Sequence, residues 1–186
     1  KLVAAKGQSL VISDSNDPNI QALVNGVNQM LNNYGSTIDF NNLINLRKGS
    51  DAAVAELISE MNNGSVDMLL VMDSDPIYTS PASRGFADAL SKVKTVVSFA
   101  EKPDATSQNA AFILPVHHYL ESWNDANPIA NEVTFTQPTI NPINNTRQWQ
   151  DTMMIWMGMS DSYYDLLHKK WNSEVSASDD STVIFA

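Results

Sequence analysis

The stretch Val66–Pro81 (VDMLLVMDSDPIYTSP) constrains the fold of this chain more than any other. Its apolar run, Met68–Met72, is too short to cross a membrane and lacks the spacing of an amphipathic helix. Gly64 precedes the run and turn-forming residues follow it, so the pattern predicts a strand buried on both faces. Such strands belong to parallel sheets covered by helices, where sites lie just past the strands' carboxyl ends. We therefore expect the central strand here, with a site at Asp73, Ser74, Asp75 and Pro76.

Two helices and two short strands are predicted before this run. Ser9–Ser13 is a candidate first strand, and Thr37–Phe40 a second. Asp17 followed by Pro18 is a helix-start signal, and the helix is expected to end at Gly35. Ser50 and Asp51 begin the next helix, with Gly64 as its stop. The apolar spacing of the first helix predicts an inward face made of Ile20, Leu23, Val24, Val27, Met30 and Leu31.

After the central run the alternation continues with a helix near Ser83–Ser91 and strands at Val93–Phe99 and Ala111–Val116. Alternating strands and helices are the signature of an α/β fold with a mainly parallel sheet and helices on both faces. The rest is less regular. His117–Asn131 is expected to be loop with a short helical turn. Further elements are predicted as a strand at Val133–Gln137, helices around Trp149–Met157 and Tyr163–Trp171, and an edge strand at Thr182–Phe185.

The length of 186 residues suits one domain, with a core at about residues 8–116 and an extension with C-terminal helices at 117–186. The first residues, Lys1–Ser9, have no signal-peptide core and no initiating Met, so we expect a fragment of a larger protein. The net charge of −10 argues against nucleic acid and against an anionic membrane surface. The absence of cysteine excludes disulfides and iron–sulfur ligation within this sequence.

The turn after the first predicted strand, SDSNDPN, lacks the glycines that bring phosphate close to backbone N–H groups. It carries Asp14 and Asp17 instead, and Asp73 and Asp75 follow the central run. Carboxylates at a strand-end crevice repel a pyrophosphate. The plainer interpretation of Asp14, Asp17 and Asp73 is that they cap helices and form turns.

Two other groups of residues give only weak signals, and two common catalytic motifs are absent from the sequence. A receiver domain would use Asp14, Asp17, Asp73 and Lys102-Pro103, but Lys102 follows the fourth predicted strand rather than the fifth. His117, His118 and Glu121 can be drawn as a metal triad, yet adjacent histidines on a strand point apart. There is no Gly-x-Ser-x-Gly elbow and no P-loop. No catalytic residue and no metal ligand is therefore assigned.

The segment Ala105–Pro142, with the motifs LPVHHYLESWND and FTQPTINPI, resembles the molybdopterin oxidoreductase (dimethyl sulfoxide reductase) superfamily. Val66–Pro81 looks like that family's strand followed by Gly-x-Asn-Pro, and Arg147-Gln-Trp149 like its Arg-x-x-x-Trp helix start. The likeness is nearest to the molybdopterin-like region of the iron–sulfur subunit of alternative complex III, a quinol-oxidising assembly. It covers nearly the whole chain and is most specific at residues 66–147.

The resemblance implies the Rossmann-like third domain of these enzymes, which holds one arm of a bis-molybdopterin guanine dinucleotide. It places vestigial nucleotide-site positions at Asp73, Ser74, Asp75, Pro76, His117 and Glu121. The family's Asn before Pro is Asp75 here, its Ala-Asp before the fifth strand is Ala110-Ala111, and its Gly-Thr is Asn124-Asp125. These changes remove a glycine or a polar partner, or add negative charge.

Two functions are expected from the resemblance. The first is a non-catalytic scaffold domain without a cofactor, in a membrane-associated respiratory iron–sulfur subunit on the periplasmic side of the inner membrane. Its partners would be other domains of the parent chain and further respiratory subunits, with no nucleic acid and no direct membrane insertion. The alternative is a genuine molybdopterin guanine dinucleotide-binding domain of a molybdenum-dependent oxidoreductase, in which domains outside this sequence share the cofactor.

Overall fold

The computed structural model describes residues 1–45, 49–130 and 132–176. The chain divides into two compact units, the first made of Lys1–Arg47 and Ala126–Thr134 and the second of Lys48–Asp125 and Phe135–Ala186. The helices are α1 (Pro18–Met30), α2 (Asp51–Asn62), α3 (Pro76–Thr79), α4 (Ser83–Leu90), α5 (Trp149–Trp156) and α6 (Tyr163–Ser176). The strands are β1 (Met68–Met72), β2 (Thr95–Phe99), β3 (Phe112–Ile113), β4 (Asn124–Ile129) and β5 (Glu132–Thr136).

The second unit is built on a three-stranded parallel sheet in the order β1-β2-β3. Leu70 of β1 lies opposite Val97 of β2, and Ser98 of β2 lies opposite Ile113 of β3. The chain passes from β1 to β2 through α3 and α4, as a parallel pair requires. The protein is therefore a mixed α/β fold with a parallel sheet, which confirms that part of the sequence prediction.

The core of this unit lies between the sheet and the helices α2 and α4. Met61 of α2 and Phe86 of α4 are buried against Val71 of β1 and Val96 of β2. Ser50 begins α2 as predicted, since its hydroxyl accepts a hydrogen bond from the Ala53 N–H at 3.2 Å. The residues of the core cluster are Met61, Val71, Phe86, Ala89, Leu90, Val93 and Val96.

The prediction that Met68–Met72 forms the central strand, buried on both faces, is wrong. Within the described residues β1 is an edge strand and β2 is central. Met68 is 57% exposed, whereas all but the first residue of β2 are buried. The reason is that the two earlier predicted strands do not extend the sheet beyond β1.

Neither Ser9–Ser13 nor Thr37–Phe40 forms a strand. In the first unit the side-chain amide of Asn28, on α1, makes two hydrogen bonds with the backbone of Val11. Its oxygen accepts from the Val11 N–H at 3.0 Å, and its nitrogen donates to the Val11 C=O at 2.8 Å. The backbone of that segment thus pairs with a side chain instead of a neighbouring strand. Ile38 makes only an isolated bridge with Tyr34.

Helix α1 begins as predicted but its inward face is different. The Asp17 carboxylate accepts a hydrogen bond from the Asn19 N–H at 2.8 Å, and Pro18 opens the helix. Asn28 and Leu31 are buried, whereas Leu23 and Met30 are exposed. The helix ends at Met30 rather than Gly35, and Asn32 then adopts a left-handed φ of 53°.

Further along the chain the predictions have mixed outcomes. The helix at 83–90, the strand near 133–137 and the two C-terminal helices are confirmed. The predicted strand Ala111–Val116 shrinks to β3, followed by Pro115, which cannot donate to a ladder. The predicted loop His117–Asn131 contains β4, which pairs with β5 in a two-stranded sheet. Thr182–Phe185 lies outside the described residues.

Within the described ranges, no helix has both the length and the apolarity needed to cross a membrane.

Candidate functional site

A cleft of about 300 Å³ lies where the three parallel strands end. Asp73 follows β1 directly, Glu101 comes two residues after β2, and His117 four residues after β3. Parallel strands bring their carboxyl ends to one edge of a sheet, which is where α/β proteins bind ligands. We name this site the strand-end cleft. Its lining residues are Asp73, Glu101, Val116, His117, Tyr119, Ser122, Trp123, Asn124, Thr136, Gln148, Trp149 and Gln150.

Two carboxylates supply the charge of the strand-end cleft. Asp73 and Glu101 are both exposed, and neither makes a hydrogen bond or ion pair to another described residue. Asp73 adopts a left-handed φ of 47°, a conformation in which Asp is tolerated better than most residues. No Lys or Arg is found among the described residues that line this cleft. Its electrostatic character is therefore acidic.

An aromatic and amide wall faces these carboxylates. Gln148 is buried, and its Oε1 accepts a hydrogen bond from the Trp123 N–H at 3.0 Å while its Nε2 donates to the Trp123 C=O at 3.1 Å. The Trp123 ring packs against Tyr164, with 4.8 Å between ring centroids. Trp149 is the first residue of α5. The buried Gln148 side chain thus makes the pair of backbone hydrogen bonds that a neighbouring strand would otherwise make, and these bonds hold the wall at Trp123.

His117 and Glu121 join the chain segments behind the strand-end cleft. His117 Nδ1 lies 2.6 Å from Thr146 Oγ1 and 3.8 Å from a Glu121 oxygen. Glu121 is buried and accepts hydrogen bonds from the backbone N–H groups of Ile143 at 2.9 Å and His118 at 3.1 Å. The Ile143 bond is the main cause of a lowered pKa at Glu121, and the nearby histidines add to it. Glu121 therefore holds the loop around Ile143 against the turn that begins at His118.

Asp75 is tied to the loop that follows β2. Its carboxylate accepts hydrogen bonds from the Ala105 N–H at 3.2 Å, the Thr106 N–H at 3.0 Å and the Thr106 hydroxyl. The Thr106 oxygen also accepts from the Ile77 N–H at 3.1 Å, which locks the start of α3. Desolvation acts to raise the pKa of Asp75, but these hydrogen bonds outweigh it and the pKa lies below its ordinary value.

The six predicted site residues are therefore distributed over several places. Asp73 and His117 meet in the strand-end cleft. Ser74 and Pro76 line a separate groove beside α2, together with Val54 and Leu57. Asp75 and Glu121 hold loops through their hydrogen bonds, and Glu121 lines a neighbouring cleft.

Sequence reasoning missed most of the strand-end cleft. Glu101 could have been found by applying to β2 the rule that was applied to β1, since it also follows a buried apolar run. Trp123 and Gln148 carry no such signal, because they are 25 residues apart and meet only through tertiary hydrogen bonds.

A second polar cluster fastens α6 to the start of β4. Asp125 accepts hydrogen bonds from Trp171 Nε1 at 2.9 Å and from the Tyr163 hydroxyl at 3.4 Å, and Lys170 Nζ lies 3.4 Å away. Burial, followed by the Asp125 charge and hydrogen bond, raises the pKa of Tyr163 to about 12. The Asp125 carboxylate therefore contacts three residues of α6 and helps to hold that helix.

The fold and the strand-end cleft define a class: a mixed α/β domain with an acidic, tryptophan-lined cleft at the carboxyl edge of a parallel sheet. Across the described residues, no three His, Cys, Asp or Glu side chains are grouped as a metal site would need. No protein-family model matches the chain, and no curated protein sequence matches it either.

Proposed function

We propose that this chain is a non-catalytic scaffold domain, similar in design to the third domain of molybdopterin oxidoreductases. Its parent would be the iron–sulfur subunit of a membrane-associated, quinol-oxidising respiratory complex on the periplasmic side of the inner membrane. The proposal rests on the resemblance in residues 66–147, where the motifs occur in the family's order. Other domains of the parent chain and further respiratory subunits would then be its partners.

The observation that best supports the scaffold role is the hydrogen bonding of the Asp75 carboxylate. This residue stands where the resemblance places the family's nucleotide-contacting Asn. An ionised carboxylate is an acceptor only, so Asp75 has no donor to offer a ligand, and three hydrogen bonds from Ala105 and Thr106 already engage its oxygens. Asp73 and Glu101 add two unpaired negative charges at the same sheet edge. A pyrophosphate would meet electrostatic repulsion there without a compensating cation.

The proposed fold within this family is Rossmann-like, with helices on both sides of the sheet. Val96 of β2 packs with α2 and α4, and successive strand residues point to opposite faces. On the face opposite Val96, Phe99 makes an edge-to-face contact with Trp156 of α5, with 5.9 Å between ring centroids. This contact supports a second helical layer.

The alternative, a genuine molybdopterin guanine dinucleotide-binding domain, is favoured by one observation. The strand-end cleft lies where dinucleotides bind in open parallel sheets, and its tryptophans offer surfaces on which a base can stack. Repulsion of the phosphates by Asp73 and Glu101 makes us rank this function second.

Metal and pterin analysis of the full-length parent protein, purified from its native host, separates the two functions. We expect molybdenum by mass spectrometry and oxidised pterin by fluorescence both far below one equivalent per chain. A molybdenum reductase carried through the same extraction serves as the control for cofactor recovery. Stoichiometric molybdenum and pterin in the parent protein would overturn the scaffold proposal.

A further inference from the structure

We propose that the strand-end cleft binds a small organic cation, of the quaternary ammonium or alkylated amine class. This goes beyond the scaffold role, which requires no ligand. It rests on the charge, the aromatic lining and the size of the cleft, taken together.

The charge of the cleft selects for cations. Asp73 and Glu101 face it without hydrogen-bond or ion-pair partners among the described residues. Lys102 lines a neighbouring cleft that shares Glu101 and Val116, and Arg147 directly precedes Gln148, but neither of these two basic residues lines the strand-end cleft. His117, which also faces the strand-end cleft, has its Nδ1 engaged with Thr146. Two uncompensated carboxylates lower the energy of a cation held between them.

The aromatic side chains favour an organic cation over a bare metal ion. Trp123, Trp149 and Tyr119 line the cleft together with the two carboxylates. Indole faces attract ammonium groups through the ring quadrupole, and recognition of quaternary ammonium ligands uses such rings. A calcium ion needs six to eight oxygen ligands. The described residues group no more than two acidic or histidine side chains closely enough for a metal.

The volume of the cleft and the order of its wall also suit a small molecule. Its volume of about 300 Å³ is at the lower end for ligand pockets. The paired hydrogen bonds with Gln148 fix the backbone of Trp123, whose ring packs against Tyr164, and Trp149 is placed by the start of α5. A wall that is ordered before binding loses little entropy on binding.

The binding test compares choline with its neutral carbon isostere, 3,3-dimethylbutan-1-ol, on the 186-residue chain. The readout is the set of indole N–H resonances of the four tryptophans in ¹⁵N-labelled protein. We expect choline to shift the Trp123 and Trp149 resonances and to leave those of Trp156 and Trp171 unchanged. The isostere should bind at least about five-fold more weakly, since it lacks the charge. Equal affinity for the two probes, or no shift with either, would overturn the proposal.

Matched variants locate the binding. Glu101→Gln and Asp73→Asn each remove one cleft carboxylate, and each should weaken choline binding by about three- to ten-fold. Asp88→Asn, at an exposed position on α4, makes the same change in net charge and should leave choline affinity unchanged. An equal loss in all three variants would mean that net charge alone attracts the probe, which contradicts a site.

Guanosine monophosphate is the anionic comparison. If it shifts the same two indoles more tightly than choline does, the cation proposal fails and the dinucleotide-binding alternative gains support. If neither probe binds, the cation proposal fails while the scaffold proposal, which is decided on the parent protein, stands.

Discussion

Asp73 and Asp75 are two aspartates of one turn with opposite roles. Asp75 accepts three hydrogen bonds from the loop after β2, whereas the Asp73 carboxylate has no partner among the described residues. A carboxylate that accepts several hydrogen bonds is held in its ionised form. Asp75 therefore stabilises the fold, and Asp73 is left available to a ligand.

The substitution Asp75→Asn should lower the free energy of unfolding by about 1–2 kcal/mol at pH 7, because the amide cannot accept all three hydrogen bonds. The folded-state pKa of Asp75 is lowered, so its stabilisation is present above the unfolded-state pKa of about 4 and is lost as pH falls through the folded value. The unfolding free energies of wild type and variant, measured in urea, should thus converge as pH falls below the unfolded-state pKa of Asp75.

Asp73→Asn is the control for that substitution, since Asp73 is exposed and its loss should change the unfolding free energy by less than about 0.5 kcal/mol. An Asp75→Asn protein as stable as wild type at pH 7 would mean that the hydrogen bonds to Ala105 and Thr106 do not hold the turn.

At the level of elements, the packing of α2 and α4 on β1 and β2 forms the principal core. Met61 of α2 is fully buried and touches the same cluster as Phe86 and Val96. Interiors are close-packed, so a missing side chain at this junction leaves a cavity that its neighbours fill only in part. The strand-end cleft lies at the end of this same sheet and depends on its integrity.

Truncation of the buried methionine, Met61→Ala, should lower the free energy of unfolding by about 2–5 kcal/mol. Met157→Ala makes the same chemical change just after α5 at a position that is 66% exposed, and it should cost less than about 1 kcal/mol. Chemical denaturation followed by circular dichroism gives both values. Similar losses in the two variants would show that the core is not centred on α2.

For the molecule as a whole, the dominant electrostatic quantity is the net charge of −10. The ion pairs of Lys94 with Asp67 and of Lys169 with Asp161 are exposed, and such pairs stabilise a protein little. Repulsion among the surplus carboxylates therefore opposes the compact state at neutral pH.

Added salt should consequently stabilise the chain at pH 7. Raising NaCl from about 10 mM to 200 mM shortens the Debye length from about 30 Å to below 10 Å and screens this repulsion. We expect the melting temperature to rise by roughly 2–4 °C for each kcal/mol gained, and KCl to act like NaCl. A melting temperature that falls with added salt would show that attractive pairs outweigh the repulsion.

The sequence by itself determined the local features of this protein. The caps at Asp17 and Ser50 and the apolar runs of β1 and β2 lie where their patterns predict, because each depends on neighbours along the chain. The mixed α/β character follows from the alternation of these elements.

Only the tertiary structure decided which strand is central and which carboxylates are free. β2 is the middle strand of the described sheet, in which Ser9–Ser13 takes no part: Val11 of that segment is hydrogen-bonded to the Asn28 side chain. Asp75 is occupied because Thr106, 31 residues away, reaches it, and Gln148 positions Trp123 across 25 residues. These contacts join residues that are distant in sequence, so no pattern along the chain records them.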